Sequence, residues 1–178
     1  MVARAAHATI PRRLTNMSSF KVNSAGQFLV KNGHVCTTCC KPGKAGILHL
    51  IYQWTAASRD LDTCTTFLGG VVGWNCGGSA PYLNWTSGDN QQSGPETVEI
   101  DLLAAMQDGH WTDSVEILCA AGWYEPAGGS GGATIIATYN GVTLTLSTPT
   151  LPSQRTCASN PVARIVVLSD GTFTLNPP

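Results

Sequence analysis

Residues 133–147 read ATIIATY-NG-VTLTLS: a β-branched apolar run from Ala133 to Tyr139, the pair Asn140-Gly141, and an alternating run from Val142 to Ser147. Asn and Gly both tolerate the positive φ of a tight type I′ turn, so this stretch predicts a two-residue β-hairpin. The same pattern recurs on either side. Ala163 to Leu168 and Thr172 to Leu175 flank Asp170-Gly171, and the N-terminal runs Gln27 to Val30 and His34-Val35 flank Asn32-Gly33. Phe20-Lys21-Val22 precedes a turn at Asn23 to Gly26. Ile47 to Trp54, Asp60 to Leu68, Thr97 to Leu102 and Ser114 to Ala121 read as further strands, and Leu83 to Thr86 as a brief pairing segment. Between them Gly69 to Tyr82, rich in Gly and aromatics, reads as irregular. One helix is expected, Leu102 to Asp108, with Asp101 as its N-cap and Gly109 at its C-terminal stop. Short strands at turn-rich spacing with one short helix predict a mainly β protein: an antiparallel β-sandwich preceded by an extended N-terminal β arm.

The chain has 178 residues, enough for one domain with a sizeable core. Ten Lys+Arg stand against eleven Asp+Glu, a net charge of −1, so no global field exists to hold nucleic acid or an anionic membrane. Only 12% of residues are charged, a composition that suits surfaces covered by partner subunits. No run approaches the roughly 18 apolar residues that span a bilayer. Residues 1–16 carry Arg4, Arg12 and Arg13 without a continuous apolar stretch, so no secretory signal is read there. Met17 is the expected true start, behind a disordered leader. Residues 17–44 then form the β arm with a Cys-rich linker, and 45–178 the sandwich. Synthesis in the cytoplasm is the expectation.

Acidic residues cluster around the strand from Asp60. Asp60 and Asp62 project from one strand face about 7 Å apart, Asp89 and Asn90 sit on a turn, and Glu96 opens the next strand. Carboxylates and an amide converging with backbone carbonyls suit a hard cation such as calcium. For Asp89-Asn90 alone, ordinary turn chemistry accounts for the residues; it leaves the acids of an apolar strand unexplained.

The order Asp60-Leu61-Asp62, Phe67-Leu68, Ser87-Gly88-Asp89-Asn90 and Gly94-Pro95-Glu96, followed by Val98-Glu99-Ile100-Asp101-Leu102, resembles the calcium-binding β-sandwich of the tellurium-resistance (TerD-type) stress-protein family over about residues 47–125. The resemblance implies Asp60, Asp62, Asp89 and Glu96 as side-chain ligands, completed by Asn90 and carbonyls near Gly88. The family's second loop is richer in acids than this one, which implies weaker binding or one site in place of two.

Other motifs carry weaker chemistry. Cys36-x-x-Cys39-Cys40 is half of a zinc site, completed from His34, Cys64, Cys76, Cys119 or Cys157, but a structural crosslink or buried thiols explain seven cysteines better. Gly128-Gly129-Ser130-Gly131-Gly132 matches a nucleophile pattern, yet a strand follows it where the elbow needs a helix. Trp74, Tyr82 and Trp85 form a candidate stacking or docking surface for sugar or protein. Asn16-Met17-Ser18 and Asn84-Trp85-Thr86 are formal glycosylation sequons. Together these features predict a non-enzymatic calcium-binding sandwich acting as a subunit of a larger homo- or hetero-oligomeric assembly, such as a virion or phage-tail protein. The alternatives are a soluble calcium-binding stress-response protein and a carbohydrate-binding or adhesion module. No nucleic-acid or membrane partner is expected.

Overall fold

A computed structural model describes residues 21–22, 28–29, 46–55, 59–111, 113–125, 131–154 and 160–178. The chain divides into two compact units, Met1–Cys40 and Lys41–Pro178. In the first, β1 (Lys21–Val22) pairs antiparallel with β2 (Phe28–Leu29), as the Asn23–Gly26 turn predicts. The Asn32-Gly33 turn, His34 and the linker cysteines lie outside the described residues.

The second unit is a sandwich of two sheets. Its strands are β3 (Ile47–Gln53), β4 (Leu61–Phe67), β5 (Gly70–Gly73), β6 (Ser79–Ala80), β7 (Leu83–Trp85), β8 (Glu96–Asp101), β9 (Ser114–Tyr124), β10 (Thr134–Tyr139), β11 (Val142–Ser147), β12 (Ser153–Gln154), β13 (Pro161–Leu168) and β14 (Phe173–Asn176). The first sheet runs β11-β10-β3-β8-β7-β6 and the second β14-β13-β9-β4-β5. All these neighbours pair antiparallel. The exception is β12, which extends the second sheet by a short parallel pairing with Trp123 and Tyr124.

Period-two alternation places the core. In β3, Leu48, Leu50 and Tyr52 are fully buried, and in β8 Val98 and Ile100 meet them across the ladder. The second sheet answers with Leu61 and Phe67 of β4, Ile117, Cys119, Ala121 and Trp123 of β9, and Ile165 and Val167 of β13. Burying each large aliphatic side chain contributes about 1.5–3 kcal/mol. A polar link at Tyr52 crosses this core. The Tyr52 hydroxyl donates to the Cys64 carbonyl at 3.2 Å and shares a 2.7 Å hydrogen bond with Thr65 Oγ1. The pairing fixes how β3 sits over β4, because a buried hydroxyl left without partners costs about 1–3 kcal/mol.

The Asn140-Gly141 hairpin forms as read, with φ of 51° and 78° and six residue pairs in continuous register. Helix α1 (Leu102–Gln107) is capped by Asp101, whose Oδ1 accepts from the Ala104 amide at 2.8 Å, and Gly109 follows at φ 78°. Residues 69–82 are more ordered than their composition predicts, since they hold β5 and β6. Leu68 and Gly69 make the turn into β5 at φ 48° and 81°. A leucine seldom takes positive φ, so the sequence hides this hairpin. No helix among the described residues is long and apolar enough to cross a membrane.

Candidate metal centre

The start of β4 and the loop between β7 and β8 build an acidic site. Leu61, Thr63, Thr65 and Phe67 point into the sandwich, so alternation sends Asp62, and Asp60 just before the strand, to the opposite side of β4. The 86–95 loop brings Asp89 to the same place. One carboxylate oxygen from each of Asp60, Asp62 and Asp89 lies within 4.8 Å of the other two. Asp60 is 6% exposed and Asp62 fully buried, whereas Asp89 is exposed. Both oxygens of Asp62 and Oδ1 of Asp60 are buried without a hydrogen-bond partner.

Three features hold the loop. The indole nitrogen of buried Trp54 donates to the Arg59 carbonyl at 3.1 Å and to the Gln92 carbonyl at 2.8 Å, tying the approach to Asp60 to the loop that carries Asp89. Asn90 folds the loop on itself, its Nδ2 donating to the Ser93 carbonyl and its Oδ1 accepting from the Gln92 amide. Gly94, joined to Pro95 by a cis peptide bond, passes so close to the Trp54 ring that a Cβ there would lie 2.5 Å from Cε3.

Glu96 stands behind the trio. It projects inward with Val98 and Ile100, fully buried, where Thr63 Oγ1 donates to Oε2 and the Asn90 amide donates to Oε1 at 3.2 Å. Both its oxygens are thus engaged on the interior side of β4, while the trio lies on the other.

The electrostatics of the site oppose charge. Burial, then the neighbouring Asp89, raises the Asp60 carboxyl from 3.8 to about 6. Burial, then Asp60 and Asp89, raises Asp62 to about 7. Burial raises Glu96 from 4.5 to about 8 despite the bonds from Thr63 and Asn90, and Asp89 and Asp62 add to the rise. Like charges in a desolvated pocket resist joint ionisation, and a cation among them reverses that penalty. The donors are all oxygen, which fits a hard cation. The group can therefore hold a metal ion.

The remaining candidates lie elsewhere. Cys36, Cys39, Cys40, Cys157 and Ser130 fall outside the described residues. Cys76 is disulfide-bonded, and its sulfur lies 3.4 Å from that of Cys64. Burial pushes the Cys64 thiol up to about 11 and that of Cys119 to about 12. The three aromatics meet different neighbours. Half-buried Trp74 packs edge-on against Tyr124 with centroids 5.3 Å apart. The Trp74 amide donates to the Thr63 carbonyl and the Tyr124 amide to the Asp60 carbonyl, so this pair spans β4 beside the acids. Tyr82, at φ 64°, donates to Asp108 Oδ2 at 2.7 Å and meets the rings of Phe67 and His110. Trp85 packs against the core, with its indole nitrogen buried and unpartnered.

Thr63, Trp54 and Gly94 are the site residues that sequence reasoning passes over. Thr63 carried a faint signal, a hydroxyl directly after the second acid of Asp60-Leu61-Asp62 on a strand. Trp54 carried none and Gly94 entered only within the Gly94-Pro95-Glu96 motif, because their packing role exists only where loop and strand meet. Comparison of the chain with protein-family models, with curated proteins and with solved structures finds no match.

Proposed function

We propose that this chain is a non-enzymatic β-sandwich whose Asp60, Asp62 and Asp89 hold a calcium ion, and that it serves as a structural or docking subunit of a larger assembly of the virion or phage-tail kind. One observation carries the metal reading: the Asp62 carboxylate is fully buried, faces two other acids, and has no hydrogen-bond partner on either oxygen. An isolated buried carboxylate is costly, and coordination is one of the few arrangements that compensates it. Calcium is favoured over magnesium because its shell of about six to eight oxygens is flexible and accepts loop carboxylates and carbonyls, whereas magnesium demands near-ideal octahedral geometry and keeps several waters. Glu96 and Asn90 act as braces in this reading, the first anchoring Thr63 and the loop amide, the second closing the loop. The assembly role is supported by the low charge of the chain.

Terbium, a calcium surrogate excited through nearby indoles, tests the site. Trp54 and the Trp74–Tyr124 pair flank the acids, so sensitised emission is expected on terbium addition and should fall as calcium displaces it. Asp62→Ala should abolish both the emission and the rise in melting temperature that calcium gives by mass action. Emission that survives in Asp62→Ala removes the trio from the binding site.

A second reading is favoured by the identity of the acids that meet. Asp60-Leu61-Asp62 and Gly88-Asp89-Asn90 are two of the motifs that carry the resemblance to tellurium-resistance stress proteins, and theirs are the carboxylates that converge. In that reading the chain is a soluble calcium-binding stress-response protein, monomeric with and without calcium. The oligomeric state of the purified chain separates the two.

A further inference from the structure

Among the described residues, one side of the sandwich ends in two uncharged edge strands with no strand paired beyond them. The first sheet ends on β11 and the second on β14, and these two edges lie beside each other. Between them runs an apolar seam. Val142, Leu144 and Leu146 of β11 are paired with core residues of β10, so they face inward, yet Val142 is 52% exposed and the two leucines are only half-buried. Phe173 and Leu175 of β14, paired with Val167 and Ile165, face the same seam and are also half-buried.

Edge strands are normally guarded by charge, proline, bulges or brevity. β11 has none of these: it is six residues long, pairs with β10 without a bulge, and reads Val-Thr-Leu-Thr-Leu-Ser. β14 is equally uncharged. The backbone of β11 also has a defined polarity. The Thr148 amide donates to the Ala133 carbonyl, so alternation points the amides of Leu146, Leu144 and Val142 toward β10 and those of Ser147, Thr145 and Thr143 away from it.

We propose that this edge is a homodimer interface, in which β11 pairs antiparallel with β11 of a second copy about a two-fold axis at Thr145. The register follows from the outward groups. Thr145 faces its own mate and Thr143 faces Ser147, so every outward amide and carbonyl of these three residues finds a partner, about six ladder bonds in all. Leu144 then lies opposite Leu146 on the core side, and the two half-covered seams close on each other. A second copy suits the site because its surface is uncharged and self-complementary in this register. The inference rests on the assembly reading above and not on the ion.

Sedimentation of the full chain in EDTA, at about 100 µM, tests it without calcium; the concentration is chosen to populate a dimer of micromolar Kd. The wild type should sediment at twice the 18.7 kDa monomer mass. Thr145→Pro removes an amide that no described strand of the monomer's own sheet uses, so it should leave folding intact and abolish the dimer. Thr145→Lys and Thr145→Glu should each weaken dimerisation at least tenfold, and their equimolar mixture should restore it, which misfolding cannot imitate. A monomeric wild type overturns the proposal, as does a dimer that survives Thr145→Pro. A monomer whose Thr143, Thr145 and Ser147 amides nonetheless exchange slowly also overturns it, in favour of coverage by the chain's own remaining segments.

Discussion

Replacing Asp62 by asparagine should stabilise the calcium-free protein above neutral pH while removing its response to calcium. The folded state raises the Asp62 carboxyl from 3.8 to about 7, so the protein is penalised for ionising it. Stability associated with this group is fully present below its unfolded value and is lost as pH rises through about 7. At about 1.4 kcal/mol per pH unit, the rise corresponds to about 4 kcal/mol at most. Solvent reaching the exposed Asp89 side and relaxation of the loop reduce that to roughly 2 kcal/mol. The asparagine amide inherits a poorly partnered pocket and gives back about 1 kcal/mol. The net gain expected at about pH 8 is therefore about 1 kcal/mol, or about 2–4 °C in melting temperature for a chain of this size. At about pH 5 the folded carboxyl is protonated but the unfolded one is already ionised, so roughly a third of the penalty remains and offsets most of the amide's cost, and the two proteins should melt together within about 1 °C. Thermal melts at both pH values, each in EGTA and in excess calcium, make the comparison. If Asp62→Asn melts below the wild type at the higher pH and keeps the full calcium response, the view of Asp62 as a frustrated carboxylate awaiting a cation is refuted.

The supporting residues give two further tests. Gly94→Ala drives a methyl group to 2.5 Å from Trp54 Cε3, which should cost about 1–3 kcal/mol in urea denaturation and weaken calcium binding through the indole that holds Arg59 and Gln92; an unchanged midpoint would show that the loop does not depend on that contact. Thr63→Val removes the hydroxyl that donates to Glu96, whose carboxyl already stands at about 8. Because that bond favours the ionised form, the loss should grow from about 1 kcal/mol near pH 6 to roughly 2 near pH 9, and a cost independent of pH would mean the pair contributes only packing.

Much of the fold is legible in residue order because its determinants are local. Asn140-Gly141 dictates its hairpin through positive φ at both positions, Asp101 and Gly109 bound the helix with their own backbone chemistry, and alternation in β3 and β8 sorts core from surface. The hairpin at Leu68-Gly69 is not legible, since a leucine accepts positive φ there only because the sheet around it compels the turn. Residue types also point to Asp60, Asp62 and Asp89 as a group. Alternation also puts Glu96 on the Val98–Ile100 side of β8 and Asp62 on the side of β4 away from Leu61 and Thr63; what residue order cannot supply is which groups those sides meet after packing. Glu96, equally acidic and as near in sequence, enters β8 with its side chain directed into the core, where Thr63 and the Asn90 amide take up its oxygens. Asp89 rides a loop pinned by Trp54 to the other side of β4. The sequence by itself determined the strands, the turns and the supply of carboxylates, because these follow from neighbours along the chain. Only the tertiary structure decided which carboxylates share a desolvated pocket, because that depends on the packing of two sheets and on one loop passing the edge of a strand.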